Sequence, residues 1–387
     1  MTSSRYDLRG VSASKEDVHK AIKNLSKGLF KNSFCKILPD ILTNDQDYCV
    51  AMHADTAGTK TSLCYTYWKE SGDNSVWRDI VQDAIVMNID DLACSGIYNN
   101  IIISNTIGRN KNLIPGSVIE NIISSINDFI FKMKKYDINI LLAGGETADV
   151  GDIVRTIDIG VTAFARVKRN RVIQNNIQPG DVIVGLSSFG KSIYEENYNS
   201  GIGSNGLTSA RHDMFANYLA NKYPESFDPG MPKDLVYCGD KKLSDLDVDS
   251  GMTYGKLLLS PTRTFLPVIK NILDNYFDSV NGMIHCTGGG QTKVLNFINN
   301  LHVIKNNLFE TPKVFKIIQE NSSASWQEMY QVFNMGHRIE LYVNKNIASN
   351  IIDMANKFNI DAKIIGSCKS SKSKKLTITS KHGTFEY

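Results

Sequence analysis

Carboxylates are concentrated between Trp77 and Leu92, where Asp79, Asp83, Asp90 and Asp91 interrupt a run carrying Ile80, Val81, Ala84, Ile85, Met87 and Ile89. The apolar residues recur at helical spacing. Residues 79 and 83 are four apart and 83 and 90 are seven apart, so at least three carboxylates share one helix face. Like charges so placed weaken a helix unless something positive stands between them. A solvated acidic face is one reading. Against it, the helix is otherwise apolar and should be packed, where unpaired carboxylates are costly. A hard divalent cation removes that cost, because magnesium takes oxygen ligands, keeps waters and bridges to phosphates.

Four loops offer partners for such an ion. Asp55-Thr56-Ala57-Gly58-Thr59-Lys60 supplies backbone amides, hydroxyls, a carboxylate and an ammonium, the groups that a polyphosphate and its metal require. It lacks the GxxxxGK[ST] spacing of a Walker A loop. Ala143-Gly144-Gly145-Glu146-Thr147-Ala148 has two glycines that let a backbone approach a ligand, followed by a carboxylate. His285-Cys286-Thr287-Gly288-Gly289-Gly290 precedes an expected helix at Lys293 to Ile298 and offers amides to an anion. Gly201-Ile202-Gly203-Ser204-Asn205-Gly206 also precedes a helix. Each loop taken singly reads first as a tight turn. His53, His212, His285 and His337 lie near these motifs and read as structural or surface histidines; Trp68 and Trp77 read as packing residues.

The elements that must position these groups follow from pattern. Val18, Ala21, Ile22, Leu25 and Leu29 predict a helix or helix pair over 15–38, stopped by Pro39. YCVAMHADTAGTK predicts a buried strand delivering the first loop. A helix over 77–92 and a strand over 101–103 follow, then a helix capped by Ser117 and carrying Val118, Ile122, Ile126 and Phe129. ILLAGG predicts a strand ending in the glycine loop, and IDIGVTAFARV an alternating strand. The polar stretch 168–182, with Pro179 and Gly180, marks a domain boundary. Beyond it come the strand DVIVGLSS, a long loop over 190–206, helices over 207–221 and 261–275, a strand at Arg338 to Val343, a helix at Ala348 to Phe358 and a last strand at Ala362 to Ile365. The expected fold class is α+β, or mixed α/β, in two domains, 1–170 and 171–387.

Bulk properties narrow the function. With 387 residues the chain suits two domains. The 43 basic against 40 acidic residues leave a net charge of +3, too small an excess to drive binding to nucleic acid or anionic membrane. The basic run Lys369 to Lys375 reads as a solvated turn. Seven scattered cysteines, without a CxxC pair, read as reduced thiols. The N-terminal MTSSRYDLRG has no apolar core, and no stretch reaches about 18 uninterrupted apolar residues. The expectation is a cytoplasmic protein without a membrane span.

The order and joint presence of the motifs carry a resemblance. Tyr6 to Val11, HADTAGTK, RDIVQDAIVMNIDDLACSG, AGGETAD, PGDVIVGLSSFG, GSNGLTSAR, SPTRT, HCTGGG and MYQVFNMGH cover almost the whole chain. In that order they resemble the aminoimidazole ribonucleotide synthetases, or phosphoribosylformylglycinamidine cyclo-ligases, of the superfamily with selenophosphate synthetase and thiamine-monophosphate kinase. The resemblance implies an N-terminal domain whose strands join a second subunit's in a dimeric β-barrel, a C-terminal α+β domain, and hence a homodimer. It implies that ATP activates the formyl oxygen of formylglycinamidine ribonucleotide, a small phosphorylated substrate, and that ring closure yields aminoimidazole ribonucleotide, ADP and phosphate. By the same carry-over Lys60, Asp91 and Glu146 are catalytic, and Asp55, Asp83 and Asp91 hold Mg2+. Gly58, Thr59, Lys60, Gly144 and Gly145 shape the ATP phosphate pocket with Asp55. Ser204, Asn205, Gly288, Gly289 and Gly290 grip phosphate from the second domain.

The chain departs from the family pattern at Thr56, where glycine is usual, at Asp90, where asparagine is usual, and at Gly203, where a histidine is usual. The extra carboxylate at Asp90 is expected to strengthen metal binding. Before Gly203 stands an insertion, KSIYEENYNSGI, whose Tyr194, Glu195 or Tyr198, or else the nearby His212, is a substitute for the histidine; a lengthened surface loop is the alternative. Selenophosphate synthetase is disfavoured because Cys35 lacks a glycine-rich setting. The remaining alternatives are a superfamily member phosphorylating another amide or phosphate substrate, and a non-catalytic nucleotide-binding relative.

Overall fold

The computed structural model describes residues 5–11 and 16–387, and two large sheets divide them. Strands β1 (Ile37–Pro39), β2 (Tyr48–Thr56), β3 (Ile101–Arg109), β4 (Ile140–Asp149) and β5 (Ile157–Lys168) form the first, in the order β1-β2-β5-β3-β4, antiparallel except for the β3–β4 pair. Alternation along β3 is clear: Ile101, Ile103, Asn105 and Ile107 face inward while Ile102, Ser104 and Thr106 face out. Helices Val76–Cys94 and Gly116–Lys134 pack together behind this sheet. The second buries Val118, Ile122, Ile126, Phe129 and Met133, an i, i+4 stripe. It starts at Gly116 with Pro115 before it, so Ser117 lies inside the first turn rather than capping it.

The second sheet uses β6 (Val182–Ser187), β9 (Val280–His285), β10 (Leu301–Lys305), β11 (His337–Val343), β12 (Ala362–Ser370), β13 (Lys375–Ser380) and β14 (Gly383–Glu386), in the order β14-β13-β10-β12-β6-β11-β9. A two-stranded ribbon, β7 (Leu246–Asp247) with β8 (Met252–Thr253), stands apart. Strands β6 and β11 are buried along their whole length, β6 as a mainly apolar run and β11 with His337, Arg338 and Glu340 held by buried partners. The mixed α/β class read from the sequence holds, and no described helix is long and apolar enough to cross a membrane.

Several element boundaries differ from expectation. The first long helix ends at Ile22, and Val18, Ile22, Leu25 and Leu29 are at least 38% exposed; residue 15 lies outside the described residues. The chain turns at Gly28, whose φ is 82° and where a Cβ would stand 2.3 Å from Ile37 O. The AGGETA segment is strand, not loop, because β4 runs on to Asp149 beside β3 across a bulge between Ile103 and Asn105. After HCTGGG comes a 3₁₀ segment, Gly290–Asn296, instead of an α-helix. SPTRT forms no regular element, and the helix after it begins at Leu266. Residues 369–375 join the end of β12 to the start of β13.

The helix Val76–Cys94 joins the two halves. It packs on β2 and β5 on one side and on β9 and the helices Tyr254–Leu259 and Leu266–Tyr276 on the other. Apart from Arg78, Asp79 and Gln82 all its residues are buried, so Asp83, Asp90 and Asp91 sit inside the protein.

A candidate active site between the two sheets

Each carboxylate of the Val76–Cys94 helix that turns towards the second half meets a specific partner there. Asp83 accepts bonds from Lys60 Nζ at 2.8 Å, Ser204 Oγ at 2.8 Å and Thr262 N at 3.1 Å, and a short one from Thr262 Oγ1. Asp90 accepts from Thr264 Oγ1 at 2.6 Å and Phe265 N at 2.9 Å. Asp91 is met by His285 Nδ1 at 2.7 Å and His53 Nε2 at 3.3 Å. The argument that packed carboxylates demand a metal is thereby corrected: SPTRT and HCTGGG supply donors to three of the four. Thr262, Thr264 and the two histidines were not singled out as partners in the sequence, although each lies within a motif.

Lys60 is fully buried at the first turn of the helix Lys60–Ser71, and its ammonium also donates to Ser260 O at 2.6 Å. Burial pulls its pKa down, opposed by the charge and hydrogen bond of Asp83. Thr59 Oγ1 meets Thr208 Oγ1 at 2.7 Å, tying the first loop to the helix Leu207–Met214. Gly58, at φ 62°, has open space where a Cβ would project. Asp55 is exposed at the end of β2, next to these groups.

Around Asp91 the protons are ordered. Arg338 Nε donates to His285 Nε2 at 3.3 Å, so His285 carries its proton on Nδ1 and donates to Asp91. His53 Nδ1 faces Asn88 Oδ1 at 2.9 Å, so both ring nitrogens of His53 face acceptors, as imidazolium requires. Burial disfavours the charged ring, but the bond to Asp91 and the nearby charges outweigh it and hold the His53 pKa above its ordinary value. Burial likewise pushes the Asp91 carboxyl up, and the bonds from His285 and His53 overcome it to hold that carboxyl well below the usual carboxylate range.

The second-half loops converge on the same cleft. Asn205 Nδ2 lies 3.9 Å from where a Cβ on Gly288 would stand, which puts the 204–206 and 288–290 turns side by side. Gly288 and Gly289 are partly open, whereas a Cβ on Gly290 would come within 2.7 Å of Tyr330 O and Phe333 O, making it a packing glycine. The insertion is not a lengthened surface loop. Ser192, Tyr194, Asn199, Ser200 and Ile202 are buried, Tyr194 OH donates to Thr264 O at 2.7 Å, and Glu195 pairs with the buried Arg263. Gly203 stands against Arg338, whose NH1 would be 3.1 Å from an added Cβ. His212 is fully buried, with Nδ1 accepting from Tyr237 N at 3.1 Å, and it is a core histidine rather than a substitute for one in the cleft. His337 joins a separate buried group with Lys305 and Glu340.

Two expected groupings do not form. Asp83 and Asp91 lie eight residues apart on one helix, about 12 Å along its axis. Among the described residues the only set of three or more ligand atoms within 4.8 Å is Cys286, His337 and Glu340, so Asp55, Asp83 and Asp91 do not surround one point. Gly144, Gly145 and Glu146 lie on the edge strand β4, and Glu146 is exposed. Thr56, Gly160, Thr106 and Glu146 occupy one row across the sheet. Three strand spacings, about 14 Å, therefore separate Glu146 from the end of β2. Asp90, completely buried and bonded to the start of the helix Leu266–Tyr276, adds nothing to a cation site.

Residues 37–167 match the family model described as AIR synthase related protein, N-terminal domain. A phosphoribosylformylglycinamidine cyclo-ligase of Methanocaldococcus jannaschii is 31% identical over 373 residues, spanning 93% of this chain and 91% of its own. One of Saccharolobus solfataricus is 25% identical over 359 residues, spanning 91% and 90%. Among solved structures, a chain of a HypE–HypF complex superposes with a TM-score of 0.53 at 14% identity, over 97% of this chain and 98% of that one. T. maritima PurL complexed with FGAR gives 0.56 at 15% identity, and this chain spans 49% of it. These structural likenesses establish the fold alone.

Proposed function

The chain belongs to the phosphoribosylformylglycinamidine cyclo-ligase family, and from that premise we propose that its interdomain cleft closes the imidazole ring of aminoimidazole ribonucleotide at the expense of ATP. The γ-phosphoryl group passes to the formyl oxygen of formylglycinamidine ribonucleotide and ADP leaves. A substrate amidine nitrogen attacks the formyl carbon, and phosphate and a proton depart as the ring closes. The observation that carries the reading is the Lys60–Asp83–Ser204–Thr262 constellation, in which motifs from both halves meet on one carboxylate.

Within this scheme Lys60 supplies a fixed positive charge beside the transferred phosphoryl group, held in place by Asp83 and Ser260 O. Ser204, Asn205, Gly288 and Gly289 offer hydroxyl, amide and backbone N–H groups to phosphate, as do Gly58 and Thr59 from the first half. The donor set near Asp91 fits a hard cation: Asp55 and Asp91 contribute carboxylate oxygens, and the charge now balancing them is the partly exposed His53. Asp55 and Asp91 would hold magnesium, which when bound would supply positive charge to stabilise the phosphates. Asp83 serves as the anchor of Lys60, although its Oδ2 is buried without a partner and leaves one oxygen for a ligand.

A homodimer belongs to the same proposal. The outer face of the first sheet carries no helix and exposes Met52 at 65%, Leu141 at 55% and Ile102 at 40%. An apolar sheet face of this kind is stable when a second copy covers it, and β4 with Gly144, Gly145 and Glu146 then falls at the subunit boundary. Purified protein given formylglycinamidine ribonucleotide, ATP and magnesium is expected to form aminoimidazole product and phosphate one to one. Phosphate release without product, or neither, overturns the cyclo-ligase reading.

A further inference from the structure

A second cleft, of about 720 Å³, opens beside Ser260, the residue whose carbonyl accepts from Lys60. Its lining includes Arg78, Asp79 and Gln82 of the helix Val76–Cys94 and residues 195–199 of the insertion. Among the lining residues is Asp79, the one carboxylate of that helix that accepts no hydrogen bond from the second half, although the charge of Lys256 acts on it. It is half-buried and has no hydrogen-bonding partner among the described residues. Arg78, Lys132 and Lys256 line the same cleft together with the carboxylates Asp128, Glu195 and Glu196; Arg78 is paired with Asp128, Lys256 with Asp73 and Glu195 with Arg263, while Lys132 has no ion-pair partner among the described residues.

We propose that this cleft holds the ribonucleotide substrate, with Asp79 receiving its amidinium group and the cationic rim receiving its 5′-phosphate. The inference rests on the cyclo-ligase reading and adds to it the residues that recognise the substrate. Two features of the lining select such a molecule. A carboxylate without donors in a half-buried position is costly until a cation bearing N–H groups meets it, and an amidinium presents paired N–H groups as guanidinium does. The Arg78–Asp128 pair is exchangeable, its members being 57% and 58% exposed, because such surface pairs contribute little; a phosphate dianion can therefore take Arg78 together with Lys132. A ligand carrying an anion at one end and a cation at the other satisfies both poles, whereas a purely anionic one is repelled by Asp79.

The spacing agrees. Asp79 precedes Asp83 by four residues, so the two are neighbours about 6 Å apart along one helix face. An amidine seated on Asp79 therefore lies close to Ser260, the lining residue whose carbonyl holds the buried Lys60. Lining by residues 195–199 gives the insertion a role as a wall of the substrate cleft, with Tyr198 45% exposed upon it.

The test is steady-state kinetics on the full chain with magnesium and ATP. Asp79→Asn is expected to raise KM for formylglycinamidine ribonucleotide by about 10- to 100-fold, the loss of one charge-assisted contact, with KM for ATP unchanged. As a competitive inhibitor, the corresponding formylglycinamide ribonucleotide has no basic amidine nitrogen. Wild type should bind it more weakly than substrate by a similar factor, and Asp79→Asn should bind the two about equally. Lys132→Met is expected to weaken binding of the ribonucleotide relative to its dephosphorylated riboside by about 10-fold, and it keeps the proposal open to refutation if Asp79→Asn fails to fold. Unchanged substrate KM and unchanged discrimination in folded variants, from a wild type that makes product, overturn this inference alone. A wild type that makes no product overturns the cyclo-ligase reading and this inference with it.

Discussion

Asp91 keeps its charge between two imidazoles with different tasks. His285, fixed by Arg338, is a neutral donor within the protein, while His53 is a partly exposed cation that stands where magnesium is proposed to bind. Asp91→Ala should abolish turnover, lowering it by at least about 100-fold, with the fold retained on thermal melting. Full activity in a folded variant would remove Asp91 from the metal site. The His53 pKa lies above its ordinary value, so lowering the pH through it charges the ring and sets proton against metal. Magnesium affinity measured by calorimetry should therefore weaken as pH falls through that pKa, and His53→Gln should flatten the profile. An unchanged profile in the variant would separate His53 from the metal site.

At the scale of elements, neighbouring aspartates on one helix do different work. Asp90 bonds Thr264 and the N–H of Phe265, placing a negative charge at the N-terminal end of the helix Leu266–Tyr276. Its pKa is raised by burial, against the pull of His285 and these bonds. Asp90→Ala should cost about 2 kcal/mol in denaturant unfolding by removing this cap, while leaving magnesium affinity close to that of wild type. A large loss of metal affinity with stability intact would restore Asp90 to the cation site. In the second sheet, Lys305, Glu340, His337 and Tyr342 form a fully buried network. Burial pushes the Glu340 carboxyl up, but Lys305 and His337 overcome it and hold it at about 2. A carboxyl depressed in the folded state adds stability above its unfolded pKa and loses it as pH falls towards the folded one. Melting temperature should accordingly drop between about pH 4.5 and pH 2. Glu340→Gln leaves Lys305 buried without a counter-charge and should cost about 3 to 5 kcal/mol, with a flatter acid limb.

For the whole molecule, the helix Val76–Cys94 is the element on which the first sheet and the second half are assembled, so the proposed site is complete only when both halves are folded. The uncovered face of the first sheet sets the expected assembly. Met52→Asp or Leu141→Asp, each placing a charge on that face, should convert a dimer to monomer in size-exclusion chromatography with light scattering. A wild type already monomeric at micromolar concentration would remove the dimer proposal.

What the sequence by itself determined was the mixed α/β class, the strand and helix order near the motifs, and the family, because these depend on local periodicity and on motif order along the chain. The aspartate helix and the Lys60 loop were legible because their residue types and spacing carry the chemistry. The pairings were not legible. Asp83 with Thr262, Asp90 with Thr264 and Asp91 with His285 each join residues more than 170 positions apart, and no spacing rule spans that distance. The same holds for Glu146, which the motif order grouped with Asp91 but which the strand order sends to the sheet edge. Only the tertiary structure decided which carboxylates are met by donors from the other half of the chain and which are not: Asp79, on a cleft, and Asp55, exposed and bonded only by its neighbour Thr56 N. That choice is made by packing between halves of the chain, where a buried charge must find a partner or be left to a ligand.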